Sequence, residues 1–161
     1  MTIEYTSPYG ISSFEDFNKL NKAFVDKTEF INVIDKLDSP YPVLLRPRRF
    51  GKTTFVQMLL CFYDISFKDK YDEIFKGTKI LEMNLPSHNS YHVIKFDFSG
   101  ISGTNVESLI TNFNQKVSVG INDFLIRYPD FEFSNDYTGR DPANFIDEFF
   151  KTFARYSKSK S

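Results

Sequence analysis

Residues 42–60 read Pro-Val-Leu-Leu-Arg-Pro-Arg-Arg-Phe-Gly-Lys-Thr-Thr-Phe-Val-Gln-Met-Leu-Leu. Val43–Leu45 predict a short buried strand and Arg46–Phe50 a tight basic turn. From Thr53 to about Tyr63 the spacing predicts a helix with Phe55, Met58, Leu59 and Phe62 inward. A strand, a turn ending in Gly-Lys-Thr-Thr and then a helix is the order of a phosphate-binding loop. Backbone N–H groups at the helix N-terminus face an anion, with a lysine and a hydroxyl beside it. The pattern G-x-x-x-x-G-K-[ST] puts its first glycine at position 46, where this chain has Arg46.

The residue types fit a nucleoside triphosphate. Lys52 is placed to neutralise the β and γ phosphates, and Thr53 offers its hydroxyl to Mg²⁺. Gly51 allows close approach of the backbone, since a Cβ there would meet the phosphates. Pro47 stiffens the turn, and Arg48 and Arg49 add charge-assisted contacts to phosphate or reach a partner. The loop expected to hold the ligand is thus Arg46, Pro47, Arg48, Arg49, Phe50, Gly51, Lys52, Thr53 and Thr54. The bland alternative is a basic surface turn with no ligand.

Leu45-Arg46-Pro47-Arg48-Arg49-Phe50-Gly51-Lys52-Thr53 resembles the variant loop of the AAA-ATPase-like family, bacterial phosphate-loop proteins whose longer members often carry a PD-(D/E)XK nuclease-like C-terminal domain. Phe24-Val25-Asp26-Lys27-Thr28 before the loop and Val93-Ile94-Lys95-Phe96-Asp97-Phe98-Ser99-Gly100-Ile101 after it agree in order and approximate spacing. In that family an arginine replaces the first glycine, so the resemblance makes Arg46 an expected variant. It implies ATP and Mg²⁺ as ligands.

Working outward, Phe14, Phe17 and Leu20 share a face of a short helix capped by Ser12 or Ser13. Asp26 and Glu29 form a capping pair for a helix over about 27–37, with Phe30, Ile31, Ile34 and Leu37 at helical spacing. Asp38-Ser39-Pro40-Tyr41-Pro42 ends it. Beyond the loop, Lys68–Phe75 predicts a short helix with Gly77 as its C-terminal cap. Residues 84–90 are turn chemistry, and Tyr91–Phe98 a strand. Thr104 and Glu107 form a capping pair for a long helix over about 105–127, which Tyr128-Pro129 stops. Asp141-Pro142 opens a last helix with Phe145, Ile146, Phe149, Phe150 and Phe153 inward. Two strands, each followed by a helix, predict an α/β fold. The expected core is three-layered and phosphate-loop-NTPase-like, with a short parallel sheet, incomplete and helix-rich. A single domain over 1–161 is expected, with a flexible tail at 157–161.

Hydrolysis needs an acid at a strand end to hold Mg²⁺. Three readings compete. Asp97 ends the second strand and is the candidate catalytic and metal-binding acid alongside Lys52 and Thr53. Asp147-Glu148 has the right letters, but its neighbours follow helical spacing, which makes the pair a solvated face. In the third reading the acidic strand lies beyond Ser161, so the chain is a truncated core that binds ATP and hydrolyses it weakly or not at all.

Composition sets limits. Twenty basic residues nearly cancel twenty-one acidic ones, so no global field marks a nucleic-acid or membrane binder. Nucleic acid stays open only through the local cluster Arg46, Arg48, Arg49 and Lys52. Nineteen Phe and nine Tyr supply a packed core. The single Cys61 rules out a disulfide framework and is expected as a packed thiol. No apolar run approaches the roughly 20 residues that span a bilayer, so a cytoplasmic protein is expected. His88 and His92 lack metal-ligand spacing. The alternatives to ATP binding are a small-molecule kinase, with Arg127, Arg140 and loop 129–140 as a lid, and a non-enzymatic module whose arginines grip a phosphate backbone or a protein.

Overall fold

The computed structural model describes residues 13–19, 25–45, 47 and 50–159. Seven α-helices are seen among them: α1 (Glu15–Lys19), α2 (Glu29–Asp35), α3 (Lys52–Tyr63), α4 (Tyr71–Ile74), α5 (Lys79–Met83), α6 (Val106–Arg127) and α7 (Pro142–Ser159), with a 3-10 turn at Ile65–Lys70. The chain divides into two compact units, Met1–Val93 and Ile94–Ser161.

Among the described residues the expected parallel sheet is not formed. The one β pairing among them is a parallel bridge between Asp64 and Tyr91. Residues 42–45 and 92–98 run without helical or strand structure. An isolated extended run has no partner for its backbone N–H and C=O groups, and a stable sheet needs about three strands. The fold is therefore helical, and the α/β assignment is corrected.

In the first unit Phe14, Phe17, Ile31, Phe55, Met58 and Phe62 share one core with Tyr71, Ile74, Phe75 and Ile80. Helical spacing correctly placed Phe55, Met58 and Phe62 inward on α3. On α2, Ile31 is fully buried and Ile34 packs on the same core, while Phe30 and, just past the helix end, Leu37 stay exposed. Asn89 closes the far end of α3. Its side-chain Nδ2 donates to the carbonyls of Cys61 and Asp64 at 3.1 and 2.7 Å, and its backbone N–H to that of Phe62 at 2.7 Å. Carbonyls that a helix end leaves without intrahelical donors are thereby satisfied. The predicted helix over Lys68–Phe75 is a 3-10 turn running into α4. Helix α5 went unpredicted.

The second unit is built on α6 and α7. Val117, Ile121, Phe124, Phe131, Phe145 and Phe149 form its core. Phe149 meets the rings of Phe124 and Phe131 edge-on, at centroid distances of 5.3 and 5.8 Å, a geometry that aligns ring edge with ring face. The expected Thr104–Glu107 cap is replaced by a reciprocal one. Asn105 Oδ1 accepts from the Ser108 N–H at 2.8 Å, and Ser108 Oγ from the Asn105 N–H at 3.2 Å. Asp141 does cap α7, its Oδ1 accepting from the Ala143 and Asn144 N–H groups. The helix continues to Ser159, through most of the expected tail.

Candidate phosphate-binding site

The loop of interest lies in the first unit and ends on Gly51, which occupies the left-handed region at φ 72°, ψ 24° and serves as the N-cap residue of α3. The Gly51 carbonyl accepts the first helical bond, from the Phe55 N–H at 2.9 Å. A Cβ at position 51 would meet nothing within 4 Å, so backbone conformation is what calls for glycine here.

Helix α3 opens Lys52-Thr53-Thr54. Its first turn holds no acidic residue, and its N-cap residue makes no side-chain cap bond. First-turn amides have no intrahelical acceptor, and the helix dipole adds partial positive charge at the same end. Lys52 and Thr53 are exposed and Thr54 half-buried, so one turn carries an ammonium, two hydroxyls and those amides. Phe50 and Pro47 are exposed on the approach. Arg46, Arg48 and Arg49 lie outside the described residues.

The lead-in, Pro42–Leu45, runs beside α2. An apolar groove of about 450 Å³ is lined by Phe30 and Val33 of α2, by Val43 and Leu44, and by Phe55 and Val56 of α3 among others. The helix that carries the candidate anion site thus shares a wall with the segment that enters it.

Asp97 belongs to the second unit. It is exposed, and its Oδ1 accepts from the Ser99 N–H at 2.9 Å. Hydrogen bonds from the Ser99 hydroxyl and then its backbone N–H hold the Asp97 carboxyl below the usual carboxylate range, against slight burial. Asp147 and Glu148 are exposed on α7, paired with Lys151 at 2.6 Å and Arg140 at 2.7 Å, as a solvated face would be. Among the described residues no group of three or more His, Cys, Asp or Glu is placed to hold a metal. His88 stacks on Tyr71 at 4.4 Å. The segment considered as a kinase lid is fastened down. Phe131 is buried in the core, Asn135 Nδ2 donates to the Ser118 carbonyl, and Asn114 Nδ2 to that of Arg140.

Spacing alone did not disclose a set of ties around α2. Asp26 was expected to cap α2, yet its oxygens accept from the N–H groups of Thr28 at 2.8 Å and Lys79 at 2.9 Å. Asp35 Oδ1 accepts from the Tyr63 hydroxyl at 2.6 Å. The one available hint was Gly77-Thr78 before Lys79, a helix start by residue type.

The family model for predicted AAA-ATPases matches residues 8–160. The chain belongs to that AAA-ATPase-like family. This membership points to nucleotide binding in general terms. No curated protein and no solved structure matches the chain. Among the described residues of this AAA-ATPase-like chain, no helix is long and apolar enough to cross a membrane.

Proposed function

We propose that the chain binds ATP through the variant Walker A loop Arg46–Thr54. The observation that carries this reading is the left-handed Gly51 opening α3 onto Lys52, Thr53 and Thr54, with no acidic residue in the first turn, in a member of an AAA-ATPase-like family. In this reading the amides of α3 and the Lys52 ammonium take the β and γ phosphates. The guanidinium groups of Arg46, Arg48 and Arg49 add charge around them.

The Thr53 hydroxyl and the Asp97 carboxylate are oxygen donors of the kind Mg²⁺ prefers. We assign Thr53 to the ion and keep Asp97, in the second unit, as the candidate acid, each on the chemistry of its own donor oxygen. Bound there, the ion would offset charge on the phosphate oxygens. Hydrolysis is proposed to be weak. Asp147 and Glu148, the alternative acidic pair, are engaged in surface ion pairs. A cytoplasmic location is part of the same reading.

Calorimetric titration of ATP with Mg²⁺ into the protein and into Lys52→Ala tests it. Saturable binding that Lys52→Ala weakens at least tenfold, a loss of about 1.4 kcal/mol, is the expected result. Equal weak heats from both proteins would sink it. Phosphate release that disappears in Asp97→Asn, and persists in Asp147→Asn, would assign the acid.

A further inference from the structure

We propose that Asp26 and Thr28 are positioning residues for the phosphate loop and act on it through α2; the proposal rests on the nucleotide reading of Gly51–Thr54. Thr28 is fully buried and is the N-cap residue of α2, yet its side chain makes no cap bond to that helix. Its Oγ1 accepts instead from the backbone N–H of Ile80 at 3.1 Å, 52 residues later. Asp26 Oδ2 accepts from the neighbouring N–H of Lys79 at 2.9 Å, and its Oδ1 from the N–H of Thr28 at 2.8 Å. Thr78, the N-cap residue of α5, caps nothing with its side chain, because its hydroxyl donates back to the Phe75 carbonyl. Two first-turn amides of α5 are therefore capped from the start of α2. An ion pair, Lys79 Nζ to Glu29 at 2.7 Å, lies beside them.

The other end of α2 is tied as well. Asp35 accepts from the Tyr63 hydroxyl at the end of α3 and from the Ser87 hydroxyl. A helix of seven residues is too short to hold itself in place in water, so these ties and the burial of Ile31 set its position. Its outward face, Phe30 and Val33, forms one wall of the groove. Val43 and Leu44, which lead into the loop, and Phe55 and Val56, which follow it, line the same groove. The position of α2 therefore sets one wall of the space that the lead-in and α3 share. Recognition sites need their groups held within roughly 0.5 Å, and the Asp26–Thr28 tie supplies that register.

The test compares Thr28→Val, which keeps the shape and removes the acceptor, with Thr28→Ser, which restores it. Methyl NMR of Val33, Val43 and Leu44 reads the groove, and ATP–Mg²⁺ calorimetry well below the melting temperature reads the site. The expected result for Thr28→Val is displaced Val43 and Leu44 resonances with affinity weakened roughly tenfold, in line with the steep cost of small misplacements. Thr28→Ser is expected to restore both. A lowered melting temperature alone, with these resonances unmoved, would show a merely structural tie and overturn the proposal. Unchanged affinity in a protein whose binding depends on Lys52 overturns it too. If Lys52→Ala binds as the parent does, the nucleotide reading fails, and the methyl resonances still decide the positioning claim. Should Thr28→Val not fold, Asp26→Asn, which retains one acceptor oxygen, is expected to give the same changes at smaller amplitude.

Discussion

Asp26 Oδ2 accepts a hydrogen bond from the backbone N–H of Lys79 at 2.9 Å, joining residues 53 apart in the chain. A carboxylate cap on a helix that begins elsewhere differs from a local cap in one respect: it links two elements as well as satisfying donors. Burial pushes the Asp26 carboxyl up, but the N–H groups of Lys79 and Thr28 outweigh it and hold the group below its ordinary value of 3.8.

The sign of the pH effect follows. A carboxyl whose folded value is depressed contributes stability above its unfolded value and loses it as pH falls through the folded one. Asp26→Ala is expected to cost about 1 kcal/mol at pH 7, from two amides losing their acceptor. That deficit is expected to shrink below about pH 4. Urea unfolding of both proteins at pH 7, 5 and 3 measures it. A deficit independent of pH would contradict the assignment.

At position 51 the requirement is conformational. With φ at 72° and open space where a Cβ would stand, Gly51→Ala is expected to lower stability by about 1 kcal/mol through backbone strain. Gly51→Asn, whose side chain tolerates the left-handed region, is expected to cost less, and Gly51→Val more. Thermal unfolding of the three variants gives the order, and equal costs for all three would contradict it.

Gly120 presents the opposite case. A Cβ there would lie 2.5 Å from Phe96 Cδ1 and 2.7 Å from the Lys95 carbonyl oxygen. Overpacking of this kind costs about 1–3 kcal/mol, while alanine regains about 1 kcal/mol of helix propensity. Gly120→Ala is therefore expected to destabilise by up to about 2 kcal/mol. Partial recovery in Gly120→Ala combined with Phe96→Leu, read by chemical denaturation, would locate the clash.

Cys61 is buried in the first core. Burial first, with the Glu15 and Asp64 charges adding, pushes its thiol up to about 12. The native protein is expected to resist a thiol reagent at pH 8 and to react fully once unfolded in urea. Prompt modification of the native protein would show that this part of the core opens readily.

Helical periodicity carried much of the reading. The inward Phe55, Met58 and Phe62 of α3, Phe145 and Phe149 of α7 and the Asp141 cap are set by neighbours within one turn, so local pattern finds them, whereas Phe150, expected inward, is exposed. The cap of α6 was misread by one residue, because Thr104 and Asn105 are both good capping types and only backbone geometry chooses Asn105. Helix α5 was missed for a different reason. Five residues cannot announce a period, and its first amides are satisfied by Asp26 and Thr28 from the far side of the core.

What the sequence by itself determined is the turn Gly51-Lys52-Thr53-Thr54 at the head of an amphipathic helix, together with the family to which such a loop belongs. Both depend on residues close together in the chain. Tertiary structure alone decided that Ile31 is buried where Phe30 is not, that Asp26 serves α5, and that Val43–Leu45 form no strand. Each of these turns on a partner distant in sequence. A strand in particular exists only when a second backbone accepts its hydrogen bonds, and an apolar run states a readiness to pair without specifying the mate.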